Sequence, residues 1–460
     1  ENIDENYIEP LTPLQKELAD MWSEILDKKQ IGLNDNFFEL GGHSLLAIEL
    51  SEKVKRYFSL DLPLRELFKN PTIGKISEII EQNDKNVVKE LTFSQIVSDP
   101  DKMYQPFPLT DVQQAYWIGR GSDFQMGNIG AHAYIELESE KLEPIIFQNA
   151  IKNVIARHPM LRTVVLEDGT QKVLEKIPEF VLNILDLKNL EKNIIDEKLN
   201  ILRNELSHQV FPGEKWPLFD IRVTLLENSV RIHFSIDGLI ADASSMLILA
   251  KEISLFYNFP EIKLPILEIT FRDYVINEKL LQKSRLYIKS QEYWQKRIVD
   301  LPNAPELPFA IEPSQLSKPS FKRYSHSLEK EYWKNLKAKI SKAGLTNSVV
   351  LLTAFSSVLA LWSKSSKFTL NLTLFNRLPL HEQVGQLIGD FTSLNLLEVD
   401  YTFSDSFISN ALKVQEQLLM DLEHRQVGGI WVLREIAKIK GIENTRMPVV
   451  FTSLLSENNA

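Results

Sequence analysis

The sequence predicts a multidomain protein: an all-α four-helix bundle followed by an α+β region folded as two lobes. Three observations predict it. Over residues 10–82 the apolar residues recur at helical spacing. After residue 107, helical stretches are interleaved with short runs in which apolar and polar residues alternate. The length of 460 residues, 44% of them hydrophobic and 25% charged, suits about three globular units.

Taken in order, the bundle opens with Leu11, Leu14, Leu18, Met21, Trp22 and Ile25 on one stripe, with Thr12 as N-cap and Pro13 in the first turn. A loop over 31–44 leads to a helix that starts near Ser44 and turns Leu46, Ala47, Leu50, Val54 and Phe58 inward. A short segment, 64–68, and a last helix with Ile73, Ile76, Ile79 and Ile80 inward complete a unit taken as 1–83. Residues 84–106 turn polar and charged and read as a linker. Strands are predicted at 133–137, 221–226, 230–236, 368–373, 395–399 and 449–452. The second and third of these flank a hairpin turn at Glu227-Asn228-Ser229. Helices are predicted at 143–157, 245–257, 284–300, 328–343 and 348–362. Proline-rich stretches at 301–308 and 312–319 divide the region into lobes of 107–300 and 301–460.

Composition excludes several classes of function. Lys and Arg number 52 against 62 Asp and Glu, a net charge of −10, which disfavours phosphate backbones, so no nucleic-acid partner is expected. The absence of cysteine removes disulfides, thiolate nucleophiles and thiolate metal ligands, and fits a reducing compartment. No apolar run approaches the roughly 18 residues of a membrane span, so no membrane association is expected. The acidic start is unlike a secretory signal, and the expected location is the cytoplasm.

Two constellations carry the chemistry. In Gly41-Gly42-His43-Ser44 a serine opens a helix directly after two glycines. A helix start offers free amides and positive partial charge, which suits an anion held on the hydroxyl, although Ser44 as a plain N-cap is the blander alternative. His43 is no base for Ser44, because adjacent residues at a helix start point apart. The longer string Asp35-Asn36-Phe37-Phe38-Glu39-Leu40-Gly41-Gly42-His43-Ser44-Leu45 resembles the phosphopantetheine-attachment motif of peptidyl carrier domains in nonribosomal peptide synthetases. The resemblance spans the bundle. It implies 4′-phosphopantetheine on Ser44, attached by a phosphopantetheinyl transferase and charged by an upstream adenylation domain.

The second constellation lies in Asp237-Gly238-Leu239-Ile240-Ala241-Asp242-Ala243-Ser244-Ser245. His233 and Asp237 share a strand face, but no third ligand is evident and no metal is expected. Asp237 and Asp242 read as supporting carboxylates; a buried carboxylate needs a cation, and Arg162 is the candidate for Asp242. Ser245 reads as the cap of the following helix. The strings Phe107-Pro108-Leu109-Thr110-Asp111-Val112-Gln113-Gln114-Ala115-Tyr116-Trp117-Ile118-Gly119-Arg120 and Arg157-His158-Pro159-Met160-Leu161-Arg162-Thr163 resemble the condensation-domain superfamily. Its lobes resemble chloramphenicol acetyltransferase.

Ordinary condensation domains have His-His-x-x-x-Asp-Gly here, which places Gly238 where the second, catalytic His would stand. Asp-x-x-x-x-Asp-x-x-Ser is instead the pattern of the heterocyclization branch. Asn371-Leu372-Thr373-Leu374-Phe375-Asn376-Arg377, Gly389-Asp390-Phe391-Thr392-Ser393 and Pro448-Val449-Val450-Phe451-Thr452-Ser453 are similar to that branch too.

The resemblance implies condensation with a Cys, Ser or Thr held on a downstream carrier domain, then cyclodehydration to a thiazoline or oxazoline. Thr452 matches the catalytic threonine of the branch and is cast as a hydrogen-bonding and proton-relay group. The aspartate that accompanies it in the family belongs to a later motif, beyond Ala460, so the C-terminal lobe is expected to be incomplete. Two alternatives stay open: a condensation-only or degenerate docking domain, and a carrier whose large neighbour is scaffold.

Overall fold

The computed structural model describes residues 7–42, 44–58, 60, 62–83, 96–120, 130–311, 315, 321–402 and 405–455. His43, most of the linker expected at 84–106 and much of the proline-rich stretch at 312–319 therefore lie outside the described residues.

Helix α1 (Pro13–Leu26) begins at a capping box: Thr12 Oγ1 accepts from the Gln15 amide and the Gln15 side chain accepts from the Thr12 amide, both at 3.2 Å. Leu11 precedes that cap and is 72% exposed, so the inward stripe starts one turn later than the periodicity predicts. Helices α2 (Ser44–Phe58), α3 (Leu64–Lys69) and α4 (Ile73–Asn83) close the bundle around Leu18, Trp22, Phe37, Leu50, Val54 and Ile76. Trp22 meets Phe37 edge-on at 4.9 Å between centroids, which anchors the loop that leads to α2.

The first lobe continues with β1 (Phe107–Pro108), α5 (Asp111–Gly119), β2 (His132–Ser139), α6 (Pro144–Arg157), β3 (Thr163–Val165), β4 (Thr170–Val173) and β5 (Asn183–Asp186). Then come α7 (Lys192–Ser207), β6 (Phe219–Leu225), β7 (Val230–Asp237), α8 (Ala243–Asn258), α9 (Phe271–Leu281) and α10 (Arg285–Ile298). The main sheet runs β2-β7-β6-β5, with β5 parallel to β6 and the other pairs antiparallel. The predicted hairpin is present, with Leu225 opposite Val230. Ile221, Val223 and Ile236 pack under α6 and α8, while the alternate face carries Glu136, His233 and Arg231.

The second lobe holds α11 (Lys330–Lys342), α12 (Asn347–Trp362), β8 (Lys367–Phe375), β9 (Thr392–Asp400), α13 (Phe407–Glu423), α14 (Gly429–Lys440) and β10 (Val450–Thr452). Its sheet runs β10-β8-β9, with β10 parallel to β8 and β9 antiparallel. Leu370, Leu372 and Val399 face α12 and α13, whereas Leu396 packs with Trp294 of α10 and Val432 of α14 on the other side. Between β8 and β9 the chain leaves this sheet. Leu378, Leu380, Leu387, Ile388 and Phe391 join the core of the first lobe. Among the described residues no single helix is long and apolar enough to cross a membrane.

The glycines before Ser44 are a packing requirement. Gly41 has φ of 112°, and a Cβ on Gly42 would stand 2.3 Å from the Phe37 ring and 2.5 Å from its carbonyl oxygen. Gly42→Ala is expected to lower bundle stability by about 1–3 kcal/mol, read as an earlier thermal transition by circular dichroism.

Candidate reaction centre and its contact with the bundle

The turn that follows β7 carries both predicted carboxylates, and each is tied to an arginine distant in sequence. Asp237 is fully buried; its Oδ2 accepts from Arg120 Nη2 at 2.6 Å and its Oδ1 from the Leu239 amide at 2.9 Å. Arg120 is itself fixed by the Phe211 carbonyl at 3.0 Å. Burial raises the Asp237 carboxyl above its ordinary value, against the pull of Arg120.

Asp242, not Ser245, caps α8: its Oδ1 accepts from the Ser245 amide at 2.7 Å. Ser245 stands three residues inside the cap. Its hydroxyl lies 2.6 Å from Asp242 Oδ1 and 2.9 Å from the Gly389 carbonyl, and accepts from the Gly389 amide at 3.1 Å. The cation on Asp242 is Arg377, whose Nη2 donates at 2.9 Å, rather than Arg162. Arg162 is buried elsewhere; its Nη1 donates to the Ile155 and Ala156 carbonyls at 3.0 and 2.9 Å, closing the C-terminal end of α6. Arg377 also donates to the Val384 and Leu387 carbonyls at 3.0 and 2.7 Å and stacks on Phe391. One guanidinium thus holds the crossing loop, the α8 cap and the Asp242 carboxylate together.

Gly238 has no space for a side chain. A Cβ there would lie 2.9 Å from the Ala131 carbonyl oxygen and 3.3 Å from the Tyr116 ring. The position at which an imidazole would act is filled by backbone and a phenol ring. His233 bonds to Tyr134 at 2.9 Å and Thr224 at 3.1 Å, and Asp237 faces Arg120. Thr452 pairs with Thr373 in register on β10, an edge strand of the sheet as described. Its neighbour Phe451 packs toward α12, so Thr452 lies on the opposite sheet face, the one that carries Leu394 and Leu396. Asp390 and Thr392 border that face next to α5. Nothing in the sequence marks Asp390 as buried.

The bundle sits against the second lobe. Ile48 of α2 and Leu64 of α3 are buried with Leu345, Val350 and Leu418. Glu52 Oε1 accepts from Arg425 Nη2 at 2.5 Å, and Arg425 Nε donates to Asn376 at 3.2 Å. Ser341 donates to Glu39 at 2.9 Å. Gly41 and Gly42, just ahead of Ser44, border a cavity of about 770 Å³ that continues past Trp333 and Ser348 to Phe375 and Phe451. The 15-residue helix that starts at Ser44 and the open space beside its entry loop fit a phosphodiester-linked arm.

Arg377→Met is expected to leave the buried Asp242 without its cation. The cost is about 3–5 kcal/mol, read as a lower denaturation midpoint of the large region, whereas Arg162→Met leaves the Asp242 pair intact.

Comparison with known proteins agrees with this geometry. The condensation-domain family matches residues 103–458, and the phosphopantetheine attachment site matches residues 16–80. The chain is 38% identical to bacitracin synthase 1 of Bacillus licheniformis over 98% of its own length and 9% of that protein. It is 35% identical to phenyloxazoline synthase MbtB of Mycobacterium tuberculosis over 76% of this chain and 25% of that one. It therefore spans a quarter or less of these curated relatives. The cyclization-docking bidomain of EpoB from Sorangium cellulosum superposes with a TM-score of 0.75 at 38% identity, covering 83% of this chain and 76% of that one. A condensation-type fold without its imidazole, behind a phosphopantetheine-attachment bundle, places the chain in the condensation-domain family of the nonribosomal peptide synthetases, in its heterocyclization branch, with a peptidyl carrier domain ahead of it.

Proposed function

We propose that Ser44 bears the carrier arm and that this carrier is the acyl donor to the attached domain. In this reading the acyl group is condensed with a Cys, Ser or Thr on a downstream carrier and then closed to a thiazoline or oxazoline. An upstream adenylation domain loads the donor, and a phosphopantetheinyl transferase modifies Ser44 in the cytoplasm. 4′-Phosphopantetheine supplies the thiol that holds the acyl group as a thioester. The observation that carries the reading is Gly238: backbone and Tyr116 fill the place of a condensation-type imidazole, and both neighbouring carboxylates are committed to arginines. The names of two relatives, a phenyloxazoline synthase and a cyclization bidomain, support it.

The residues of this chain then divide the work. Ile48, Leu64 and the Glu52–Arg425 pair hold the carrier against the second lobe, so donor delivery is intramolecular. Tethering of this kind can contribute several kcal/mol to the barrier reduction. Attack of the amine on a thioester needs little more than positioning. Ring closure needs more, because hydroxide is a poor leaving group until it is protonated. Thr452, on the face turned toward α5 and α14, serves as hydrogen-bonding partner and proton relay.

The decisive experiment supplies the full-length protein with a loaded donor and a cysteinyl acceptor carrier and follows intact mass. The expected record is a condensed product followed by loss of one water; open-chain amide alone would instead favour a condensation-only domain. Ser44→Ala is expected to abolish the mass gain from coenzyme A and a phosphopantetheinyl transferase, and with it both steps. Thr452→Ala is expected to slow ring closure by about 100-fold with a smaller effect on amide formation, measured as separate rates in the same assay.

A further inference from the structure

We propose that the crossing loop between β8 and β9 is part of the surface on which the carrier bundle docks, so that seating the bundle and seating the loop are one coupled event. The proposal uses the docked geometry alone and holds whichever bond the domain forms. Helix α2 turns one stripe toward the large region: Ile48, Glu52 and Arg56, at intervals of four residues. Ile48 enters the apolar core of the second lobe. The two charged residues reach the loop instead. Glu52 does so through Arg425, and Arg56 Nη2 donates to the Pro379 carbonyl at 2.5 Å. The next carbonyl, that of Leu380, accepts from the Ile96 amide at 3.1 Å, on the segment that joins the bundle to the first lobe. Two consecutive carbonyls of the loop are thus held from the carrier's side of the chain.

Asn376 is where this grip enters the loop. Its amide donates to the Phe391 carbonyl at 3.0 Å, which pairs the first residue of the loop with the last. Its carbonyl accepts from the Tyr274 hydroxyl at 3.1 Å, and that hydroxyl accepts from the Leu378 amide at 3.2 Å. The Asn376 side chain is spent on Arg425 alone: Oδ1 accepts from Arg425 Nε at 3.2 Å and Nδ2 donates to the Arg425 carbonyl at 3.3 Å. Arg425 Nη2 in turn donates to Glu52. Asn376 and Arg425 are 9% and 8% exposed. A direct line therefore runs from a carrier carboxylate through a guanidinium and a carboxamide to the base of the loop.

With Glu52 seated, the guanidinium is neutralised and its Nε is held on Asn376. With the bundle away, water replaces Glu52 beside Arg425. Apart from Asn376, the acceptor left to the guanidinium among the described residues is the Leu422 carbonyl at 3.5 Å, so the long side chain turns toward solvent. Asn376 then keeps its backbone bonds and loses the anchor on its side chain. Arg56 is exposed and adds less than the buried pair does. Coupling of this kind is reciprocal: whatever docking adds to the loop, the seated loop adds to docking. The next residue is Arg377, whose contact with Asp242 joins the lobes, so occupancy of the docking surface is felt at that junction.

The test is hydrogen exchange on the full chain, read by mass spectrometry of its peptides. Glu52→Ala is expected to speed exchange over residues 376–391 by about tenfold, with the β6–β7 hairpin unchanged. Glu52→Gln keeps an acceptor without the charge and should fall between the two. Arg425→Met makes the same break from the large region, leaves the bundle sequence intact and should open the same peptides. Glu52→Ala combined with Asn376→Ala should speed the loop by less than the product of the single effects. For the reverse direction, Glu39→Cys with Ser341→Cys places a unique pair of thiols across the seat of a chain that has no cysteine. Asn376→Ala is expected to slow capture of that pair by a short bis-maleimide about fivefold. Loop exchange unchanged in both Glu52→Ala and Arg425→Met, effects of Glu52→Ala and Asn376→Ala that simply multiply, or thiol capture undiminished by Asn376→Ala would each overturn the coupling.

Discussion

The buried Asp242–Arg377 pair is the interaction on which the rest of the molecule depends. Each partner alone would be a stranded charge in a poorly solvated interior, so neither is tolerated without the other. Asp242 belongs to the turn that follows β7, and Arg377 to the segment that leaves β8. Their contact therefore forces the crossing loop down onto the first lobe, where Leu378, Leu387, Ile388 and Phe391 become part of its core. Ser245 and Gly389 lock the same junction through paired hydrogen bonds. The two lobes are thus held by a polar knot wrapped in apolar side chains, and Asp390 is placed one residue beyond it.

That knot also explains why the carboxylates which look most like catalytic groups are not free to act. Asp237 and Asp242 are both committed to guanidinium groups and backbone amides. Asp390, one residue past Gly389, has its Oδ1 on the Thr392 amide and, among the described residues, no guanidinium in hydrogen-bond contact. Thr452 and Thr392 lie apart from that turn, on one face of the second sheet.

Local features were legible in the sequence. Thr12 and Pro13 mark the start of α1, the Glu227-Asn228-Ser229 turn sets the register of β6 against β7, and Gly238 announces the missing imidazole. Long-range pairings were not. Arg377 lies 135 residues from Asp242, and nothing in composition or spacing ranks it above Arg162, which sits in an equally suggestive string. Ser245 is not the cap for a related reason: Asp242, three residues earlier, competes for the same amides and, as a carboxylate, is the better acceptor. Helices α5, α7, α9, α13 and α14 are not among the predicted ones; α7 turns only Leu199, Leu202 and Leu206 into the core, and α9 is marked at its start by Thr270 with Asp273.

The Glu52–Arg425 contact has a consequence for fidelity. Both side chains are largely withdrawn from solvent, and Arg425 leans on Asn376, the immediate neighbour of Arg377. Salt screens such a pair far less than it screens charges on a rim, so ionic strength is a weak lever on this grip. A foreign bundle with a neutral or basic residue in place of Glu52 would strand a cation that cannot retreat into water. Selection among carriers is thereby built in as a penalty on the mismatched one, rather than as extra affinity for the right one.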